Sequence, residues 1–278
     1  MILLKRSFKI LLLLASIAAN SYGQNLYDLA HSKQYASFLE QSQQYKLAAM
    51  EFERLLFLEP ENKNFRIHLI KSYRYSGQFS LGLSKINQWY PGFVQDTILY
   101  RENIKLNLLN KTCSEAMNSL NTQSLLLPGE TRYYQLASFV LQKDWQGSIE
   151  IAEINQDESW PGFSELSAKV RKHEQIQFKK PGIALALSTI VPGLGKVYTR
   201  DWKDGLISLL FVAGNAFQAY RGFSKNGITS VYGWIFGTLS AGFYAGNLYG
   251  SWKSARDYNT RSEEALYHEI EHIIFDRF

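Results

Sequence analysis

Apolar residues recur along this chain in two rhythms. From Lys33 they follow a helical spacing of three and four: Tyr35, Ala36 and Leu39, then Tyr45, Ala48, Phe52, Leu55 and a closing Pro60. That spacing puts one apolar stripe on each of two consecutive helices. The scheme returns about 34 residues later, with Leu69, Tyr73, Gly77, Phe79, Gly82 and Ile86 in register and Pro91 ending the second helix. Two further pairs are expected over residues 97–109 with 113–121, where Ala116 persists, and 130–142 with 145–154, broken by Trp160-Pro161-Gly162. A basic amphipathic helix is expected over 164–177, carrying Lys169, Arg171, Lys172 and His173. Beyond residue 181 long apolar runs take over, 205–223 and 227–249. They hold no Asp, Glu, Lys or Arg between Gly205 and Tyr220 or between Gly227 and Trp252. The pattern predicts an all-α protein.

The first unit resembles the tetratricopeptide repeat: small Ala36 where two helices cross, aromatic Tyr45 after the turn, then Ala48, large Phe52 and terminal Pro60. Tyr73, Gly77, Phe79 and Gly82 keep the scheme in the second unit. One such repeat cannot bury its apolar face, so stacking is expected, giving an α-solenoid of about four helical hairpins over 24–160. The resemblance implies a concave groove that holds a protein or peptide partner. The plainer role for each of the many aromatics is to fill the core between helices.

Residues 181–252 are expected to form a glycine-rich transmembrane helical hairpin with a broken first segment. The apolar stretch 183–191 meets Pro192, Gly193 and Gly195, where proline removes a donor and glycine permits a sharp turn. Irregular backbone at membrane depth must be buried by protein. Ser188, Pro192, Gly193, Gly195 and Tyr198 together resemble the Ser-x-x-x-Pro-Gly-x-Gly-x-x-Tyr signature of small bacterial membrane domains, a resemblance that brings no activity with it. Where such domains carry glutamine this chain has Lys196, and Thr199-Arg200 stands for their asparagine-glycine. Gly233, Gly237, Gly242, Gly246 and Gly250 offer a small-residue stripe for close packing against the preceding segment, with Gly205 and Gly214 as its expected facing surface, or for a homo-oligomer. Tyr and Trp near the segment ends form an expected interfacial belt. Asn215, Gln218 and Asn247 are expected to bond across helices. Segment length favours two full spans with a re-entrant first segment, whereas the distribution of Lys and Arg favours three.

His268, Glu269 and His272 match His-Glu-x-x-His and resemble the zincin motif, in which two histidines hold zinc and the glutamate activates water. Glu271 and the short remainder of the chain depart from that family. An amphipathic tail helix over 253–278, with Leu266, Ile270, Ile273 and Ile274 on its apolar face, accounts for the same residues.

Address and charge narrow the function classes. Lys5, Arg6 and Lys9 precede the run Ile10 to Ala19, and Ser21-Tyr22-Gly23 offers small residues before Gln24. Residues 1–23 are therefore expected to be a secretory signal peptide. The repeats are placed in the periplasm of a bacterial cell envelope, followed by a basic linker at 161–180 that can lie on lipid headgroups. Lone Cys113 excludes an internal disulfide framework. The net charge of +5 is spread out, so the lipid bilayer is the expected partner and nucleic acid is not. Gly193-Leu-Gly195-Lys196 lacks phosphate-loop spacing, and no cofactor or metal is expected. The resulting expectation is a membrane-tethered periplasmic interaction scaffold without catalysis, with a zinc-dependent hydrolase using His268, Glu269 and His272 as the alternative.

Overall fold

A computed structural model of the chain describes residues 28–153 and 160–278, and the expected export signal at 1–23 lies outside them. Among the described residues every regular element is helical. The chain divides into two compact units, Met1–Ser119 and Leu120–Phe278.

In the first unit the order is α1 (Leu29–Gln41), α2 (Tyr45–Leu58), α3 (Lys63–Tyr75), α4 (Phe79–Trp89) and α5 (Thr97–Leu109), with α6 (Cys113–Thr122) running across the division. Each of α1 to α4 packs on the next, and α5 also touches α3. Polar side chains start the helices: Asp28, Asn62 and Asp96 accept from backbone N–H groups of the first turns of α1, α3 and α5, which satisfies donors that a helix leaves orphaned. Ala36, Ala48, Leu55, Ile86, Tyr100 and Ile104 are fully buried between helices, with Phe52, Phe65 and Tyr73 nearly so. Tyr35, Phe38, Phe57 and Tyr75 instead stay exposed. Arg74 and Glu102 form a buried ion pair at 2.6 Å.

The helix-to-helix corners repeat. Gln43, Gly77 and Lys111 take left-handed φ values of 58°, 74° and 61°, and Lys143 in the second unit takes 58°. At each corner the following amide closes back five residues: Gln44 N to Leu39 O, Gln78 N to Tyr73 O, Thr112 N to Asn107 O and Asp144 N to Phe139 O, all at 2.8–3.0 Å. This is the Schellman closure of a helix C-terminus.

The second unit contains α7 (Pro128–Leu141), α8 (Trp145–Glu153), α9 (Pro161–Val170), a 3₁₀ turn (Arg171–Gln175), α10 (Pro181–Ile190), α11 (Leu194–Tyr198), α12 (Trp202–Asn226) and α13 (Val231–Phe275). The helix expected over 164–177 ends at Val170, so Arg171, Lys172 and His173 sit on the tighter turn. The tail at 253–278 is not a separate helix. It continues α13, a single helix of 45 residues, because nothing near Trp252 breaks helical hydrogen bonding. Its end is locked to α7, α8 and α9: Ile270 and Ile274 are fully buried, Trp145 Nε1 donates to Glu263 at 2.5 Å, Tyr133 Oη donates to Ile274 O at 3.3 Å, and Arg277 pairs with Glu165 at 2.6 Å.

Helices α12 and α13 pair antiparallel, with Gly222 against Gly233, Ala219 facing Gly237, and Ser240 donating to Val212 O at 3.0 Å. Among the described residues no helix is long and apolar enough to cross a membrane. The charge-free part of α12 stops short of the ~20 residues that a span needs, and glycines, serines and Asn215 dilute its hydropathy.

Candidate functional site: the Pro-Gly-x-Gly turn and its polar floor

Helix α10 stops because Val191, ahead of Pro192, is held extended at φ −129° and ψ 115°. The chain then folds back on itself at two glycines that tolerate no substitute. Gly193 has φ 89°, and a Cβ there would lie 2.0 Å from the Gly205 carbonyl oxygen; a Cβ on Gly195 would lie 2.0 Å from that of Ala184. Backbone thus approaches backbone on both sides of the turn.

The turn's amides are met from α10 and α13. Gly193 N donates to Asn247 Oδ1 at 2.9 Å, and Gly195 N donates to Ser188 Oγ at 2.9 Å. Ser188 and Ser251 share a hydroxyl bond of 2.6 Å, and both are fully buried. The Asn247 Nδ2 group is buried without a partner among the described residues, which leaves one donor desolvated at a cost of ~1–3 kcal/mol. Tyr198 Oη accepts from Lys180 N at 3.3 Å, and its ring lies under the Lys179 ammonium at 4.8 Å. Each residue of the signature therefore has a packing role around one turn.

A second polar chain follows. Thr199 and Ser254 hydroxyls meet at 2.5 Å, Ser254 donates to Asp201 Oδ2 at 2.5 Å, and Arg261 reaches the same oxygen at 3.6 Å. Arg200 takes φ 68°, the left-handed position where the resembled domains carry glycine. Asp201 N closes back to Lys196 O at 2.9 Å, repeating the corner geometry of the helical pairs.

The glycine stripe divides. Gly233 and Gly237 face α12, and Gly250 faces Lys196, but nothing approaches a Cβ placed at Gly242 or Gly246. A helix turns about 100° per residue, so the five-residue step from Gly237 to Gly242 carries the later glycines to the other side. The expected surface on α12 also differs: Gly205 faces Gly193 and Val197, and Gly214 meets open space. Of the polar residues expected to bond across helices, Asn247 does so, whereas Asn215 donates to Phe211 O of its own helix at 2.6 Å.

His268, Glu269 and His272 lie on the outer face of α13. The histidine side chains are 72% and 77% exposed, His268 Nδ1 lies 3.3 Å from Glu271, and His272 Nδ1 lies 2.8 Å from Asp276. Glu269 is engaged by Lys169, whose ammonium holds the carboxyl below its usual range by direct hydrogen bonding. No group of three or more potential metal ligands occurs among the described residues.

In the first unit a cleft of about 370 Å³ opens between α2, α3 and α4. Phe57 stands at its edge, 84% exposed. Arg66 lies over Trp89 at 5.3 Å, and Glu53 accepts from Tyr73 Oη at 2.5 Å. Sequence spacing singles out Pro60 and Tyr73 as repeat positions but not Arg66, Lys85 or Trp89, whose convergence needs three helices folded together.

No protein-family model, no curated protein and no solved structure matches the chain.

Proposed function

We infer that the protein is a membrane-tethered scaffold of the bacterial envelope, whose residues 181–252 lodge in the bilayer while the helical pairs bind a protein or peptide partner in the periplasm. One observation carries the tether. Over residues 181–252 the helix contacts are made largely by small and polar residues while many large apolar ones stay outside: Ala184, Ser188, Gly195 and Ser251 are buried, whereas Ile190, Leu210, Phe217 and Ile228 are 60–78% exposed. Water disfavours such an arrangement, and lipid favours it, because helices in hydrocarbon gain nothing from burying leucine and pack instead through small residues. The outward Gly242 and Gly246 leave room for a second copy as part of the same reading.

The scaffold half rests on the repeated corners at Gln43, Gly77, Lys111 and Lys143 and on helices that pack on their sequence neighbours, as in a solenoid. The cleft beside Phe57 supplies apolar, aromatic and charged groups together, which suits a peptide. No catalytic step is assigned to the chain.

Full-length protein freed of detergent is expected to float with phosphatidylcholine vesicles and to resist alkaline extraction. Recovery in the soluble fraction after removal of detergent, as folded protein, would refute the tether.

A further inference from the structure

An open cleft of about 520 Å³ lies where α11, the first turn of α12 and the middle of α13 meet. Lys196, Lys253 and Arg261 bring three cations to its wall, and Asp201, Asp204 and Asp257 bring three carboxylates. The spacing of Lys253, Asp257 and Arg261 sets them on one face of α13. The volume falls within the ~300–1,000 Å³ of small-molecule sites.

Two features separate this cleft from an ordinary solvated surface. Its charges are incompletely paired. Arg261 and Asp201 are 3.6 Å apart, but Lys196, Lys253, Asp204 and Asp257 enter no ion pair among the described residues. Lys196 is half-buried and donates only to Ser208 Oγ, at 3.0 Å. A Cβ on Gly250 would come within 3.4 Å of that ammonium, so the glycine leaves the lysine its place. The second feature is the setting. Beside the cleft, cations lie over aromatic faces, Arg256 over Trp252 at 4.8 Å and Lys203 over Trp202 at 5.9 Å. Exposed Val197, Leu206 and Ile207 follow immediately on α11 and α12. Aromatic rings and cations bordering an apolar surface mark the headgroup level of a bilayer.

We propose that this cleft binds the headgroup of a zwitterionic phospholipid bearing a primary ammonium, with the phosphate against Lys196 and Lys253 and the ammonium against Asp204 and Asp257. The proposal rests on the membrane reading given above. A primary ammonium donates three hydrogen bonds, as a lysine does, and a quaternary one donates none. A headgroup without an amine would add negative charge beside three carboxylates and leave Asp204 and Asp257 unmatched. A metal ion is a poor occupant, since no three potential ligands converge among the described residues.

The test uses the full chain in lipid-stripped detergent micelles, titrated with short-chain phosphatidylethanolamine, phosphatidylcholine and phosphatidylglycerol, with helical content checked by circular dichroism. Phosphatidylethanolamine is expected to bind at least about tenfold more tightly than the other two. Lys196→Gln should weaken phosphatidylethanolamine and phosphatidylcholine alike, by about tenfold. Asp257→Asn, at an exposed position, should narrow the preference between them. Equal binding of all three lipids, or phosphatidylethanolamine binding unchanged in both variants, would overturn the proposal. Two controls separate it from the membrane reading. Flotation with phosphatidylcholine vesicles but no headgroup preference keeps the tether and removes the site. Binding of water-soluble glycerophosphoethanolamine that Lys196→Gln abolishes, without flotation, keeps the site and removes the tether.

Discussion

Gly195 shows how far a single position is constrained. Its missing Cβ lets the turn after α10 rest on the Ala184 carbonyl, and Ser188 occupies the remaining space with a hydroxyl that bonds its amide. Gly195→Ala must part the two backbones, so a loss of at least ~3 kcal/mol is expected in a denaturation midpoint. Arg200 is the opposite case. It holds φ 68° with a Cβ present, and left-handed backbone costs ~1–2 kcal/mol for such residues, so Arg200→Gly should raise stability by up to ~1 kcal/mol. Loss of stability on that change would contradict the corner geometry.

His173 sets a pH dependence at the same scale. Its ring stacks on Trp145 at 4.3 Å and borders Phe178, and burial lowers its pKa while Glu263 and Glu174 oppose the shift only in part. A base whose folded pKa is depressed contributes stability that is present above its unfolded pKa of ~6.5 and lost as pH falls through the folded value. The melting temperature should therefore drop on acidification below about pH 6.5, and His173→Phe should flatten that slope.

Among elements, the helical pairs were legible in the sequence because each buries one stripe, and stripes survive as spacing. Leu39, Phe52 and Ile86 are buried where that spacing puts them. The corners were legible only at Gly77, since Gln43, Lys111 and Lys143 reach left-handed backbone without a glycine to announce it. The length of α13 was hidden for another reason: the shift from apolar to charged residues after Trp252 resembles a boundary, yet both halves favour helix. The cleft around Lys196 and Asp257 joins residues far apart in sequence and leaves no local pattern. Because Leu266, Ile270 and Ile274 are buried against α7 and α9, those helices lack part of their core when the tail is missing. Ending the chain after Trp252 should expose that surface, seen as dye binding and protease sensitivity of α7 to α9; undiminished protection would show that the tail is dispensable.

At the scale of the whole molecule, α13 fixes what lies together. Lys179 and Asn259 exchange two hydrogen bonds, Lys179 N to Asn259 Oδ1 at 2.7 Å and Asn259 Nδ2 to Lys179 O at 2.8 Å, so the entry to α10 and the middle of α13 share one level. The apolar hairpin of α12 and α13 turns at Gly227–Thr229, just beyond Ser224. The most direct measurement is cysteine accessibility in a Cys113→Ser background, with Gln146→Cys, Glu264→Cys and Ser224→Cys placed singly and challenged in intact cells by a thiol reagent that cannot cross the cytoplasmic membrane. Labelling of Gln146→Cys and Glu264→Cys with protection of Ser224→Cys is the predicted result. Equal labelling of all three, or labelling at Ser224→Cys with protection of Glu264→Cys, would contradict a hairpin lodged in the membrane with both ends on the repeat side.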